Sequence, residues 1–336
     1  MAIPRVILVG TIGLFAVIGA AGVIKKVFFS PKAPHKAVIA APSVQVPAKA
    51  AAKVLAVASA PQEVSVKPTS VAPPATPQVD RIQQLFTTGA NKLPIVETIT
   101  YSSQVPWLKG RPAWVGDYAV HFATSRHFIA RSLNGTADYF TQKVCPGSKF
   151  NVFRKDKNFQ FYLLVDIATC KMAFYYLDMD TNERVLLKTY AVGLGKKAAT
   201  ASGTLTPLGK YLLGDKIAVY RPGVMGLFQE KQVEMIRVFG TRWLPFGKEL
   251  GGSANVKGYG IQGTPWTPNK QEGKWTELRL ELNPGLNQGT GGCIHMNHED
   301  IEELFAIVVT KPTTVEIVKN MKDAKLPGVE VNSPKR

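Results

Sequence analysis

Three apolar runs follow one another between residues 161 and 192, and they leave the chain few choices. Residues 161–167 (FYLLVDI), 172–177 (MAFYYL) and 185–192 (VLLKTYAV) are rich in β-branched and aromatic side chains, with short breaks between them. The second break, Met179-Asp180-Thr181-Asn182, is built of turn residues. Such runs read as strands, and short turns make them antiparallel neighbours. Further strands are expected after Thr206-Pro207-Leu208-Gly209, over 233–239, over 258–261 and over 314–318. One helix is well marked. Asn297 is its expected N-cap, Glu299 and Asp300 fall in the first turn, and Ile301, Leu304, Phe305 and Val308 follow at i, i+3, i+4 and i+7. Residues 157–320 are therefore expected to form a mainly β domain with little helix, followed by a basic tail over 321–336.

What precedes this domain has a different composition. Residues 6–24 (VILVGTIGLFAVIGAAGVI) are uncharged over 19 positions. At ~1.5 Å rise per residue such a run nearly spans a ~30 Å hydrocarbon core. It is longer than a signal-peptide core and no clear A-x-A cleavage site follows, so a retained transmembrane helix within 1–30 is expected. Arg5 before it and Lys25-Lys26 after it leave the orientation open. Residues 31–79 repeat Pro, Ala, Val, Lys and Ser, with no aromatic between Phe29 and Phe86. Such a stretch cannot build a core and is expected to be a disordered linker. Residues 80–156 then read as a small α+β module. A short helix is expected at DRIQQLF, and a helical pattern through Phe122, Phe128, Ile129 and Leu133 ends at Asn134-Gly135. A turn at Cys145-Pro146-Gly147 leads to a strand over 150–153.

The chain is basic, with 41 Lys and Arg against 24 Asp and Glu for a net +17. No Lys/Arg cluster exceeds a pair, so the charge suits an anionic surface or polymer and does not resemble a nucleic-acid arm. The cysteines are Cys145, Cys170 and Cys293. They form neither a disulfide scaffold nor a C-x-x-C metal motif, and no metal or organic cofactor is expected. Cys145 and Cys170 are either a pair or two buried thiols.

Chemistry concentrates in Thr290-Gly291-Gly292-Cys293-Ile294-His295-Met296. Thiolate is the most nucleophilic of the ordinary side-chain groups. Glycines before it let the backbone turn sharply and let a carbonyl approach, and the N–H groups of Gly292 and Cys293 could face a developing oxyanion. Taken alone, a Gly-Gly-Cys is as well explained by a structural cysteine in a turn. The surrounding motifs argue otherwise. Val165-Asp166, Gly193/Gly195, Thr206-Pro207-Leu208-Gly209, Tyr259-Gly260-Ile261-Gln262-Gly263-Thr264 and the Thr290–Met296 segment occur in an order that resembles the YkuD-type L,D-transpeptidase catalytic domain.

The resemblance implies a β-sandwich-like fold and a cysteine that attacks a carbonyl of a peptidoglycan stem peptide. The acyl group then passes to an amine, giving a cross-link or a protein attachment, or to water. It implies Cys293 as nucleophile, Gly292 in the oxyanion hole, Thr290 shaping the loop, and Tyr259, Gly263 and Thr264 along the substrate. Two positions depart from the pattern. Gln262 stands where the family has its histidine base, and an amide can orient but not take a proton. His295 stands where the family usually has arginine. Residues i and i+2 of a strand share a face, roughly 6.6 Å apart at ~3.3 Å per residue, so His295 is a candidate base or thiolate partner. Between the two motifs lie Trp266 and Trp275, either a lid over the acyl site or pins that hold the insert down.

The N-terminal module resembles a LysM domain in its Gly116-Asp117 opening, its helix ending near an Asn and its Pro-Gly before a last strand, which implies binding of N-acetylglucosamine polymers. Together these resemblances imply a bacterial cell-envelope protein, anchored in the inner membrane with its catalytic domain outside the cytoplasm. Its implied partners are stem peptides and glycan. A catalytically degenerate peptidoglycan-binding or scaffold protein is the alternative that the missing family histidine keeps open.

Overall fold

Two layers of aromatic and aliphatic side chains hold the fold together, one on each face of a curled sheet. The computed structural model describes residues 79–135, 144–215, 217–251, 256–269, 273–278 and 291–332. The expected membrane helix and nearly all of the expected linker lie outside these residues, as does Thr290. No helix among the described residues is long and apolar enough to cross a membrane.

The module comes first. A short helix α1 (Gln83–Phe86) precedes β1 (Val96–Thr100), α2 (Val115–His121), α3 (Arg126–Asn134) and β2 (Lys149–Phe153). Strands β1 and β2 pair antiparallel, with Val96 opposite Phe153 and Thr100 opposite Lys149. The single helical pattern of the sequence is in fact two helices. Ala123 has φ of 44°, which stops the first, and the Ser125 hydroxyl accepts from the Phe128 N–H at 2.9 Å to start the second. Gly135 closes α3 in the left-handed region at φ 78°, as its position after Asn134 predicts. Cys145 is an exposed free thiol and Cys170 is buried in the core, so the two are not bridged.

Among the described residues the main sheet has ten strands. Chain order gives β3 (Phe159–Asp166), β4 (Lys171–Asp178), β5 (Glu183–Ala191), β6 (Gly209–Leu213), β7 (Ala218–Val219), a separate hairpin β8 (Met225–Phe228) and β9 (Lys231–Glu234), then helix α4 (Ile236–Phe239). Next come β10 (Arg242–Gly251), β11 (Gly260–Gly263), a second hairpin β12 (Trp266–Asn269) and β13 (Lys274–Glu277), β14 (Ile294–Met296), helix α5 (His298–Val308), β15 (Thr313–Val318) and β16 (Val329–Glu330). The spatial order is β14-β11-β10-β6-β15-β3-β4-β5-β16, with β7 also on β10. Strands β3 and β4 pair over their whole lengths, Phe159 opposite Asp178 and Asp166 opposite Lys171. The Asp166 carboxylate turns the chain between them by accepting from the Ala168 N–H at 2.9 Å.

Side-chain alternation along β3 fills both layers. Phe161, Leu163 and Val165 enter the principal core with Ile301, Leu304 and Phe305 of α5. Tyr162 and Leu164 enter a smaller cluster that Val318, Ala324 and Leu326 cover. Residues 321–332 are thus no free basic tail: they cap the outer layer, and β16 extends the sheet beside β5. The run 233–239 is not one strand. β9 ends at Glu234, and Ile236 and Phe239 then bury on one side of a helical turn that Gly240 terminates.

The module shares the principal core instead of standing apart. Phe128 lies tilted 4.5 Å from Phe153, and Phe153 lies 5.3 Å from Phe159 and 5.9 Å from Phe161, all as centroid distances. On the other flank, the Ser125 hydroxyl donates to the Ala306 carbonyl of α5 at 2.5 Å, and the His127 ring meets Phe305 edge-on at 5.1 Å. Replacing Phe153, which is fully buried, by alanine removes the hub of this aromatic chain and is expected to cost about 3–5 kcal/mol. Because the core is continuous, chemical denaturation followed by far-UV dichroism is expected to show one transition for module and sheet together. A module that melts separately contradicts the shared core.

Candidate active site

The site is built where two strands run parallel. β11 and β14 pair with Ile261 beside Ile294, Gln262 beside His295 and Gly263 beside Met296. Ile261, Ile294 and Met296 enter the principal core. Alternation therefore turns Gln262, His295 and Cys293 to the opposite face. On β10, Trp243 pairs with Gln262 and continues the same row. Cys293 packs against the cluster formed by Trp243, Tyr220, Met235, Ile236 and Phe239, together with Trp266 and Trp275. The nucleophile candidate and the base candidate thus share a face, as their spacing predicts.

The glycine before the cysteine decides how the chain arrives. Gly292 has φ of 118°, and a Cβ built there meets the Tyr259 ring at 2.2 Å and the Leu205 carbonyl at 2.5 Å. No other residue fits. Gly195 is equally confined, since its Cβ would lie 2.8 Å from the Gly292 Cα and 2.9 Å from the Thr206 nitrogen. The buried Thr206 hydroxyl accepts from the Gly195 N–H at 2.8 Å. Gly193 and His295 exchange two backbone hydrogen bonds, 2.9 and 2.8 Å long. Four separate stretches of sequence, around Gly193, Thr206, Tyr259 and Gly292, therefore converge on one turn.

The electrostatics describe a neutral resting state. Burial pushes the Cys293 thiol up to about 12, opposed by a hydrogen bond from the Gly260 backbone. The thiol donates to the Gly258 carbonyl at 3.8 Å. Burial pushes the His295 imidazole down to about 4. Both His295 ring nitrogens are buried with no hydrogen-bond partner among the described residues. The Gln262 amide is buried and donates to the Val238 carbonyl at 3.0 Å. Burial first, and then the neighbouring Cys293, raise the Tyr259 phenol. Among the described residues no group of three or more His, Cys, Asp or Glu side chains is placed to hold a metal.

Trp266 and Trp275 sit on the β12–β13 hairpin, so the insert between the two motifs is partly a paired element, with Pro268 opposite Trp275. Both indoles pack on the cluster that includes Cys293. The hairpin is fastened by Glu277, whose carboxylate accepts from the Thr264 hydroxyl and from the His298 N–H, the latter at 2.8 Å. Asn297 is the N-cap residue, as expected, but its side chain makes no capping bond, and the Glu277 carboxylate supplies the acceptor for the first amide of the helix instead. Thr264 is fully buried and already engaged, and a side chain at Gly263 would press on Ile301. The structure thus gives these two positions packing roles and leaves Tyr259 beside the thiol. Sequence reasoning missed Glu277, Val238 and Leu205. The last two act through backbone carbonyls, which carry no residue-type signal.

The shifted groups make signed predictions. Burial of neutral His295 lowers its value from the usual 6.5 to about 4. Between these limits the unfolded chain binds a proton that the native chain does not, so native stability falls as pH falls through this window and levels off below it. The loss is on the order of 3 kcal/mol, and His295→Gln is expected to flatten that part of the acid limb of a denaturation series. For Cys293, alkylation by iodoacetamide in the absence of substrate is expected to be slow at neutral pH and to rise steadily through pH 10. A plateau near pH 7 contradicts a buried, protonated thiol.

Residues 160–317 match the family model of the YkuD domain, the L,D-transpeptidase catalytic domain. Among solved structures, the helical cell shape determining protein Pgp2 from Campylobacter jejuni is similar at 15% identity and a TM-score of 0.32, covering 51% of this chain and 50% of that one. A point mutant of the same protein gives 16% identity and a TM-score of 0.31 over 52% and 50%. The chain therefore spans about half the length of the solved structures it matches. No curated protein matches it. The ordered motifs, the turn on which they converge and the match over 160–317 identify this region as a YkuD-type L,D-transpeptidase catalytic domain.

Proposed function

We propose that the chain is a cell-envelope L,D-transpeptidase that acts on peptidoglycan stem peptides. The observation that carries this reading is the confinement of Gly292 between the Tyr259 ring and the Leu205 carbonyl, which fixes the backbone leading into Cys293. In the proposed reaction the Cys293 thiolate attacks a stem-peptide carbonyl, and the Gly292 and Cys293 N–H groups receive the oxyanion. Collapse expels the leaving amine, which takes a proton, and leaves a thioester. An acceptor amine then attacks the thioester and regenerates the thiol. His295 is the group on the same face that can take the thiol proton. Gln262, its strand neighbour, donates to the Val238 carbonyl in the resting state and, being an amide, cannot replace it as a base.

The resting state sets a condition on this chemistry. Moving the proton from a thiol near 12 to an imidazole near 4 costs on the order of 10 kcal/mol before the charges attract each other. Reaction requires that substrate dipoles or water replace part of the apolar surroundings. Tryptophans on a hairpin fastened at Glu277 are the element whose displacement would admit them.

The same observations favour a second reading. A thiol pushed up, an imidazole with no hydrogen-bond partner among the described residues and a glutamine turned to Val238 also fit a domain that binds peptidoglycan without turning over. Acylation of the purified chain by a carbapenem separates the two. Mass added to the wild type but not to Cys293→Ala supports the enzyme, whereas no adduct at any pH between 6 and 10 supports the binding protein. His295→Gln is expected to slow acylation by about 10²–10⁴-fold; unchanged acylation and pH dependence remove His295 from the reaction.

The remaining parts fit the same setting. Residues 6–24 would anchor the chain in the inner membrane and 31–79 would span the distance to the wall, with the catalytic domain outside the cytoplasm. The β-α-α-β order of the module fits its LysM-like reading and a glycan-binding role. Sedimentation with insoluble peptidoglycan that persists in Cys293→Ala is the expected result for that role.

A further inference from the structure

A cavity of about 770 Å³ lies between α3, α5 and the β12–β13 hairpin. Neither Cys293 nor His295 lines it; Trp266 and Trp275 do, together with Tyr220 and the charged side chains of α3 and α5. The tryptophans that pack against the thiol cluster thus also wall a second space.

The charges in this cavity are mostly matched. Arg242 pairs with Glu302 at 2.7 Å, and Lys188 pairs with Glu303 at 2.7 Å and with Asp300 at 3.4 Å. Arg131 is different. It lines the cavity from the last turn of α3, its Nε is buried, and its guanidinium has no hydrogen bond or ion pair among the described residues. A guanidinium is charged at every accessible pH and presents donors in a planar fork that matches a carboxylate. Leaving its Nε dry and unpaired is unfavourable, and a bound anion removes that penalty. Indole and phenol rings beside it suit an organic ligand, and the volume is that of a site for a small molecule or a few residues of peptide. The neighbouring carboxylates of Asp300, Glu302 and Glu303 disfavour a dianion such as phosphate more than they disfavour a monoanion.

We propose that this cavity binds the free α-carboxylate end of a short peptide, with Arg131 as the anion contact and Trp266 and Trp275 as the apolar walls. The inference goes beyond the acyl-transfer reading and does not depend on Cys293 being reactive.

The test uses the full chain and a matched pair of probes, trialanine with a free C-terminus and trialanine amide, with calorimetry and tryptophan emission as readouts. The free acid is expected to bind saturably in the millimolar range or tighter and to change the emission, and the amide to bind at least about tenfold more weakly. Arg131→Gln is expected to abolish the difference between the two peptides, and Arg131→Lys to keep part of it. Equal binding of acid and amide to the wild type overturns the proposal without reference to any variant. So does an acid preference that survives Arg131→Gln, tighter competition by inorganic phosphate than by the free acid, or no saturation by either peptide. Carbapenem acylation of the wild type is the separate readout for the transpeptidase reading. Acylation with no acid preference overturns the cavity assignment alone; acid preference with no acylation overturns the enzymatic reading alone.

Discussion

Everything around the Cys293 thiol depends on one steric fact: there is no room for a Cβ at Gly292. The Tyr259 ring and the Leu205 carbonyl close on that Cα from two sides, and Gly195 backs against it. These contacts join a loop before β6, the start of β11 and the turn into β14, three stretches that are far apart in the chain. The sheet brings the strands near one another, but the close approach of bare backbones sets where the sulfur emerges. A methyl group at either glycine would push apart the segments that define the site, and the strained φ of Gly292 adds to the cost.

The second constraint is dryness. Cys293 and His295 are held on the face of a sheet that bulky aromatic residues cover, and both are kept neutral by that cover. A site of this kind is quiet until something polar enters. The desolvation that keeps the Cys293 thiol protonated also disfavours its reaction with solvent or small thiols. Stability follows the same logic. The buried imidazole adds nothing at neutral pH and becomes a liability only on acidification.

Much of this was legible in the sequence because it rests on periodicity and on glycine. Strands β3, β4 and β5 lie within two residues of their expected limits, since their runs are dominated by β-branched, aromatic and aliphatic residues and their turns are short. The face shared by Cys293 and His295 follows from strand alternation alone. The failures have physical causes. The run 233–239 looks like a strand because Val, Met, Ile and Phe are all apolar, and only the burial of Ile236 and Phe239 one turn apart reveals a helix. The helical pattern of the module hid a break because Ala123 has no unusual side chain, only an unusual φ. The C-terminal segment looked like a tail because its charges outnumber its apolar residues, yet Ala324 and Leu326 pack on the outer layer and β16 pairs with β5. The N-cap of α5 at Asn297 was legible, but the acceptor for its first amide was not, because that carboxylate comes from a strand 21 residues earlier.

That carboxylate ties two mechanical events together. Glu277 closes the base of the hairpin by binding Thr264, and it also satisfies the first amide of α5 at His298. Swinging β13 away from Thr264 would therefore do more than lift two indoles. It would strip a negative charge from the positive end of an eleven-residue helix dipole. Release of the hairpin would thus polarise the space it opened, leaving an unpaired helix amide on the side from which it departed.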